Sequence, residues 1–292
     1  MQYQRFNTVG LFIVAGSLAI GGFAKVCPGQ DEATPEGPNT GALHFELGAE
    51  WTSAYYFRGL LQENDGFILQ SWLDVGVDLT KGDNWALTAN LGIWNSTHGD
   101  ADTAGTTDDF VKHLYETDLY AGLGLDLDAW SLGVSYVAYT SPSDAFSTIH
   151  EIDLSAGYDD SSLWDGKFAL NPSLTLAIEV DDTGGTEDTY LELGIAPGFS
   201  REIGGTTVEF TFPVTVGFGV DDYYIDSTGN DDFFGYVDAG VDASIPLGLP
   251  TRFGTWSLNG GVHVLVLGDA ASDLNSGDDF EVVGRLGLSI SY

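Results

Sequence analysis

Several things are scarce in this chain. Cys27 is its only cysteine, so no intrachain disulfide or Cys-rich zinc centre can form. Cys27 reads as incidental, because a lipid-anchored cysteine wants a small residue before it and Val26 is not one. Basic residues are few: 9 Lys and Arg stand against 44 Asp and Glu, a formal net charge of −35. Nucleic acid is excluded as a partner, since phosphate binding runs on Lys and Arg. Long apolar runs are missing beyond the N-terminus, so any membrane crossing must be made by a closed barrel of strands. There is no Walker loop, no Rossmann glycine pattern, no HExxH and no G-x-S-x-G.

Glycine and aromatics are abundant, with 39 Gly, 17 Phe and 13 Tyr. A disordered acidic chain is poor in aromatics, so this one folds, with its charge on surfaces that water or ions reach. The start reads as an export signal: Arg5 is the positive end and Val9 to Phe23 an uncharged, small and apolar stretch. Cleavage is expected after Ala24. The expected organisation is a signal at 1–24, a flexible periplasmic segment at 25–42 carrying Pro28, Pro35 and Pro38, and one barrel domain at 43–292.

Strand side chains switch faces at every residue. From Asp279 to Tyr292 the chain alternates without a break. Phe280, Val282, Gly284, Leu286, Leu288, Ile290 and Tyr292 share one face; Glu281, Val283, Arg285, Gly287, Ser289 and Ser291 share the other. A last strand ending on an aromatic residue resembles the closing strand that the outer-membrane assembly machinery reads. The pattern recurs, predicting strands near 43–54, 67–79, 84–95, 113–127, 130–140, 149–158, 167–180, 188–200, 207–220, 233–245, 255–267 and 279–292. The fold class expected is all-β: a transmembrane antiparallel up-and-down barrel of about 12 strands. Short turns such as 80–83 and 128–129 alternate with long connections such as 55–66, 96–112, 221–232 and 268–278. That puts both termini in the periplasm and the long loops outside, in a bacterial outer membrane. Trp85, Trp130, Trp164, Phe168, Phe253, Trp256 and Tyr292 cluster at the short-turn end, as an interfacial girdle would.

The faces opposite the apolar ones then line a lumen. Selectivity is expected to rest on Glu46, Glu50, Asp74, Glu192, Glu209, Asp238 and Glu281, with Arg58 and Arg285 as counter-charges. Carboxylate rings in a low-dielectric wall favour cations. Trp72, Trp94, Tyr120, Tyr139, Tyr190, Phe234 and Tyr236 are read as pointing inward, narrowing the bore by filling it or by offering a track for solute. Loop aspartates Asp221, Asp222, Asp231 and Asp232 are weak candidates for Ca2+ through oxygen ligands, without EF-hand spacing.

Thr52-Ser53-Ala54-Tyr55-Tyr56-Phe57-Arg58-Gly59-Leu60-Leu61-Gln62 resembles the opening motif S-D-Y-R-F-R-G-x-S-Q of the TorF-type porins, an outer-membrane family. Ser53, Tyr55, Phe57, Arg58, Gly59 and Gln62 match; Ala54, Tyr56 and Leu61 depart. The resemblance implies an outer-membrane, porin-like barrel and no particular solute. Physically, Gly59 permits a tight turn, and Arg58 reads either as a pore-mouth charge or as a pin through a carboxylate fork.

Two function classes follow. One is passive diffusion of small cations or small polar solutes through a constricted acidic lumen. The other is a non-conducting structural barrel whose acidic outer loops bind divalent cations or surface partners. A barrel hydrolase is the weakest reading: His150 beside Glu151 lacks a serine context, and His263 shares a face with Asn259 and Ser257 only as common chance spacing. No catalytic residue and no cofactor is assigned. The expected contacts are membrane lipid, the assembly machinery at Tyr292, and small solutes.

Overall fold

The computed structural model describes residues 39, 41–99, 108, 110–164, 166, 168–182 and 187–292. The expected leader at 1–24 and nearly all of 25–42 lie outside them. The strands are β1 (Leu43–Thr52), β2 (Tyr55–Phe57), β3 (Leu60–Glu63), β4 (Ile68–Lys81), β5 (Trp85–His98), β6 (Leu114–Leu127), β7 (Trp130–Thr140) and β8 (Ile149–Tyr158). They continue as β9 (Ser173–Asp182), β10 (Thr189–Ile195), β11 (Gly198–Ile203), β12 (Thr206–Thr211), β13 (Val214–Asp221), β14 (Phe234–Pro246), β15 (Thr255–Leu267) and β16 (Phe280–Ser291). A short helix α1 (Asp269–Leu274) lies in the last long loop.

Twelve antiparallel staves close into an up-and-down barrel. Each pairs with its sequence neighbours, and β16 returns to β1 with Thr52 opposite Arg285. Phe45 and Tyr292 exchange both backbone hydrogen bonds at 2.8 Å, so the last residue zips onto the first stave. Proline interrupts two staves. Ala196-Pro197 separates β10 from β11, and Phe212-Pro213 separates β12 from β13, because proline brings no N–H to the ladder. The Pro213 carbonyl still accepts from Gly240 N at 2.9 Å, so register holds across that break.

The alternation read in the sequence appears as two distinct surfaces. Leu73, Leu91, Leu119, Leu123, Val262, Val282 and Leu286 are exposed on the outside, while Trp72, Trp94, Tyr120, Tyr190 and Tyr236 are buried within. The inner glycines belong to this packing. A Cβ at Gly92 would run into the Tyr120 ring, and one at Gly48 into Trp72, so large rings lie flat over their neighbours' bare backbone.

Three expectations are corrected. The seventh stave starts at Ser173, not 167, because Asn171 takes a positive φ of 49° ahead of Pro172 and turns the chain. Phe234 faces outward: a register shift beside Gly217 pairs it with Phe218, whose ring it meets edge-on. The connection 55–66, read as one of the long outer loops, instead holds a hairpin, β2–β3, folded into the barrel.

Candidate functional site

The hairpin turns on two residues, Arg58 and Gly59, with φ of 49° and 80°. A two-residue turn with both φ positive matches the twist of a hairpin and normally takes Asn-Gly. An arginine there carries a conformational cost of about 1 kcal/mol or more, so its side chain must contribute something the backbone does not. It does. Nη1 and Nη2 donate to the two carboxylate oxygens of Glu151 at 2.7 and 2.8 Å, a bidentate fork. The guanidinium carbon lies 4.4 Å from the Tyr190 ring centre, 4.9 Å from Phe57 and 5.5 Å from Tyr223. Arg58 is 2% exposed and Glu151 1%.

The rest of the hairpin is held as firmly. Tyr224 Oη donates to the Arg58 carbonyl at 2.8 Å. Asn275, just past α1, accepts from Leu61 N and donates to the Gly59 carbonyl, both at 2.8 Å. Tyr55 Oη donates to Glu116 at 2.8 Å, and its ring packs 5.5 Å from Trp94. Tyr55 and its neighbour Tyr56 enter different cores. Tyr55 joins Trp72, Trp94, Tyr120 and Tyr139, while Tyr56 joins Tyr190, Tyr236, Leu265 and Val283. Adjacent strand residues point to opposite sides, so the hairpin stands between two walls of the barrel and packs on both. Burial of each ring contributes about 2 kcal/mol. The lumen is crossed at its long-loop end.

The expected site residues divide around this plug. Asp74 is fully buried and accepts weakly from Asn90 at 3.5 Å; Glu46 is half-buried, 3.4 Å from Trp72 Nε1. Glu192 accepts from Tyr190 and Tyr236 hydroxyls at 2.8 and 3.2 Å. Glu209 and Glu281 are half-buried on the inner face. Asp238 accepts from His263 at 2.8 Å. Arg285 donates to Asp242 at 3.0 Å, lies 4.0 Å from Glu50, and also touches His263 Nε2. Arg285 therefore neighbours one acid of the expected set, whereas Arg58 pairs outside it. Glu151 was missed as a lumen acid, although period two puts it on the same face as Asp153.

The expected cation cluster does not gather. Asp232 gives one oxygen to Phe234 N at 3.3 Å and the other to Ala270 N at 3.4 Å; Asp221, Asp222 and Asp231 are exposed. Among the described residues no three His, Cys, Asp or Glu side chains converge as metal ligands. His150 points outward and stacks on Tyr136. Both ring nitrogens of His263 face carboxylates. Ser96 Oγ lies 3.0 Å from His98 Nε2, with Glu63 3.8 Å from Nδ1. Ser96, however, has no exposed surface, and His98 is stacked under Tyr115.

No family model matches the chain, and no curated protein does. The TorF-type resemblance therefore rests on residues 52–62. Among solved structures the chain is similar to an outer-membrane channel from Pseudomonas putida F1. The identity is 14%, over 91% of this chain and 99% of that one, with a TM-score of 0.50. The NanC porin is matched at 11% identity over 84% of this chain and 98% of that one, TM-score 0.42. The β domain of the Bordetella autotransporter BrkA is matched at 14% identity over 86% and 99%, TM-score 0.39. The fold of this chain is that of the outer-membrane channel, a closed antiparallel β-barrel.

Proposed function

We propose that this chain is an outer-membrane conduit for small cations and small cationic polar solutes, closed at its outer end by the hairpin. The carrying observation is the charge imbalance inside the wall. Asp74, Asp118, Glu151 and Asp153 are each no more than 1% exposed. Asp118 Oδ1 and both oxygens of Asp153 meet no hydrogen-bond donor among the described residues. An unpaired, dry carboxylate costs several kcal/mol, so such an interior suits water and cations. The field of these acids is focused by the wall and repels anions. On this reading the exposed leucines and valines meet lipid, the signal at 1–24 directs export, and the strand ending at Tyr292 is read by the assembly machinery.

A second reading, a non-conducting barrel, is favoured by one observation: the hairpin reaches across the long-loop end from β1 to Glu151 on β8. Reversal potentials across a KCl gradient separate the two. With the hairpin released by Arg58→Ala, the conduit should carry steps that reverse on the cation side, whereas a non-conducting barrel should stay silent. In that Arg58→Ala background, changing Glu50, Asp74, Glu192 and Asp238 together to their amides should move the reversal toward zero. An anion-side reversal, or one unmoved by the four changes, contradicts the acidic-lumen reading.

A further inference from the structure

We infer that the pocket filled by Arg58 is a guanidinium site, and that small guanidinium-bearing solutes release the hairpin by replacing Arg58 on Glu151. The consequence for transport rests on the conduit reading; the site itself does not. The pocket already binds this chemistry, and it does so with a tethered copy. A carboxylate fork takes the two N–H donors in its plane, and the rings of Tyr190 and Tyr223, which lie outside the hairpin, remain for the flat face when Phe57 leaves with Arg58. That shape discriminates. A planar, weakly hydrated guanidinium satisfies both the fork and the rings, while a compact ammonium holds its water and cannot bridge both oxygens.

The energetics make replacement the natural route out. If the hairpin left alone, Glu151 would remain a buried charge without a partner, in the same interior as Asp118 and Asp153. A solute cation that enters as Arg58 leaves removes that penalty. Because Glu151 is free to bind solute only when the hairpin is away, such a solute binds the open state selectively, which is what shifts an equilibrium. The tether keeps the pore shut when no such solute is present, since the local concentration of Arg58 is high. Asn275 and Tyr224 hold the hairpin backbone near the pocket, favouring return.

The test is amide hydrogen exchange of the hairpin, 55–63, in the full chain refolded in detergent, with folding checked by heat-modifiable migration. Millimolar methylguanidinium should speed hairpin exchange about tenfold, whereas methylammonium or KCl at equal ionic strength should not. Glu151→Gln should exchange fast throughout and ignore methylguanidinium. Arg58→Lys, which keeps charge without the fork, should respond at lower concentration. Equal responses to methylammonium and methylguanidinium, or none to either in the wild-type chain, would overturn the site. Exchange does not need conduction. A hairpin loosened by methylguanidinium in a barrel that never conducts keeps the site and contradicts the conduit; conduction with a hairpin blind to methylguanidinium does the reverse.

Discussion

Among the described residues two guanidinium groups, those of Arg58 and Arg285, are buried inside this barrel, and the chain holds them in opposite ways. Arg285 belongs to β16, a wall stave fixed on both sides by ladders to β1 and β15. Its side chain runs along the wall to Asp242, Glu50 and His263, which lie on β14, β1 and β15. Arg58 belongs to no stave. It sits at the tip of a hairpin, and its partner Glu151 is on β8, far round the wall from β1 where the hairpin begins. The same chemistry therefore has different mechanical meanings. Between wall staves a salt bridge braces something already held by backbone bonds. Between a loop and the wall it is a latch, because β2–β3 pairs with no stave and is held to the barrel by side chains.

That contrast can be broken or sharpened at four places, in falling order of effect. Arg58→Ala strands Glu151, a loss of about 3 kcal/mol or more. Hairpin amides should then exchange about a hundredfold faster, while the staves keep their protection. Asn275→Ala removes both bonds from α1's end to the hairpin, about 1–2 kcal/mol in all. Hairpin exchange should rise about tenfold, with Arg58 still seated. Arg285→Ala should leave hairpin exchange unchanged. Glu50 and Asp242 are partly open to water, so the thermal midpoint should fall only slightly, and cation preference should increase when the change is added to the conducting Arg58→Ala chain. A hairpin that loosened in the single Arg285→Ala variant would collapse the distinction between brace and latch.

The smallest effect lies outside the barrel wall. Asn230, through side chain and backbone, and then Thr228 donate to the Asp226 carboxylate, which holds it well below the usual carboxylate range. A depressed value in the folded state contributes stability above the ordinary carboxylate pKa of about 3.9 and loses it on acidification below that. Exchange in 227–230 should be flat, after correction for intrinsic rate, from neutral pH down to about 4 and rise only in stronger acid. A rise near neutrality would mean that another group orders this turn.

Much of the wall was legible because period two is a local signal. The staves Trp130–Thr140, Ile149–Tyr158 and Thr255–Leu267 have the bounds read from alternation alone. The proline breaks at Pro197 and Pro213 were passed over because side-chain alternation runs through them. A missing N–H leaves no trace in a hydrophobic pattern. The hairpin was hidden for another reason. Its strands have three and four residues, too few to show a period, and both of its faces are buried, so Tyr55 and Tyr56 are alike in character. Arg58 and Gly59 did signal a turn and a pin. What they pin to is 93 residues away in sequence, and the pairing depends on barrel curvature. Glu151 itself was within reach, since alternation put it inside with Asp153.

The most direct measurement is planar-bilayer conductance of the wild-type chain beside Arg58→Ala, both verified as folded, heat-modifiable barrels. A latch that closes a conduit should leave the wild-type chain nearly silent in KCl. The variant should then show sustained steps that reverse on the cation side. A folded Arg58→Ala barrel as silent as the wild type, or a wild-type barrel that already conducts as freely, would contradict closure by the hairpin.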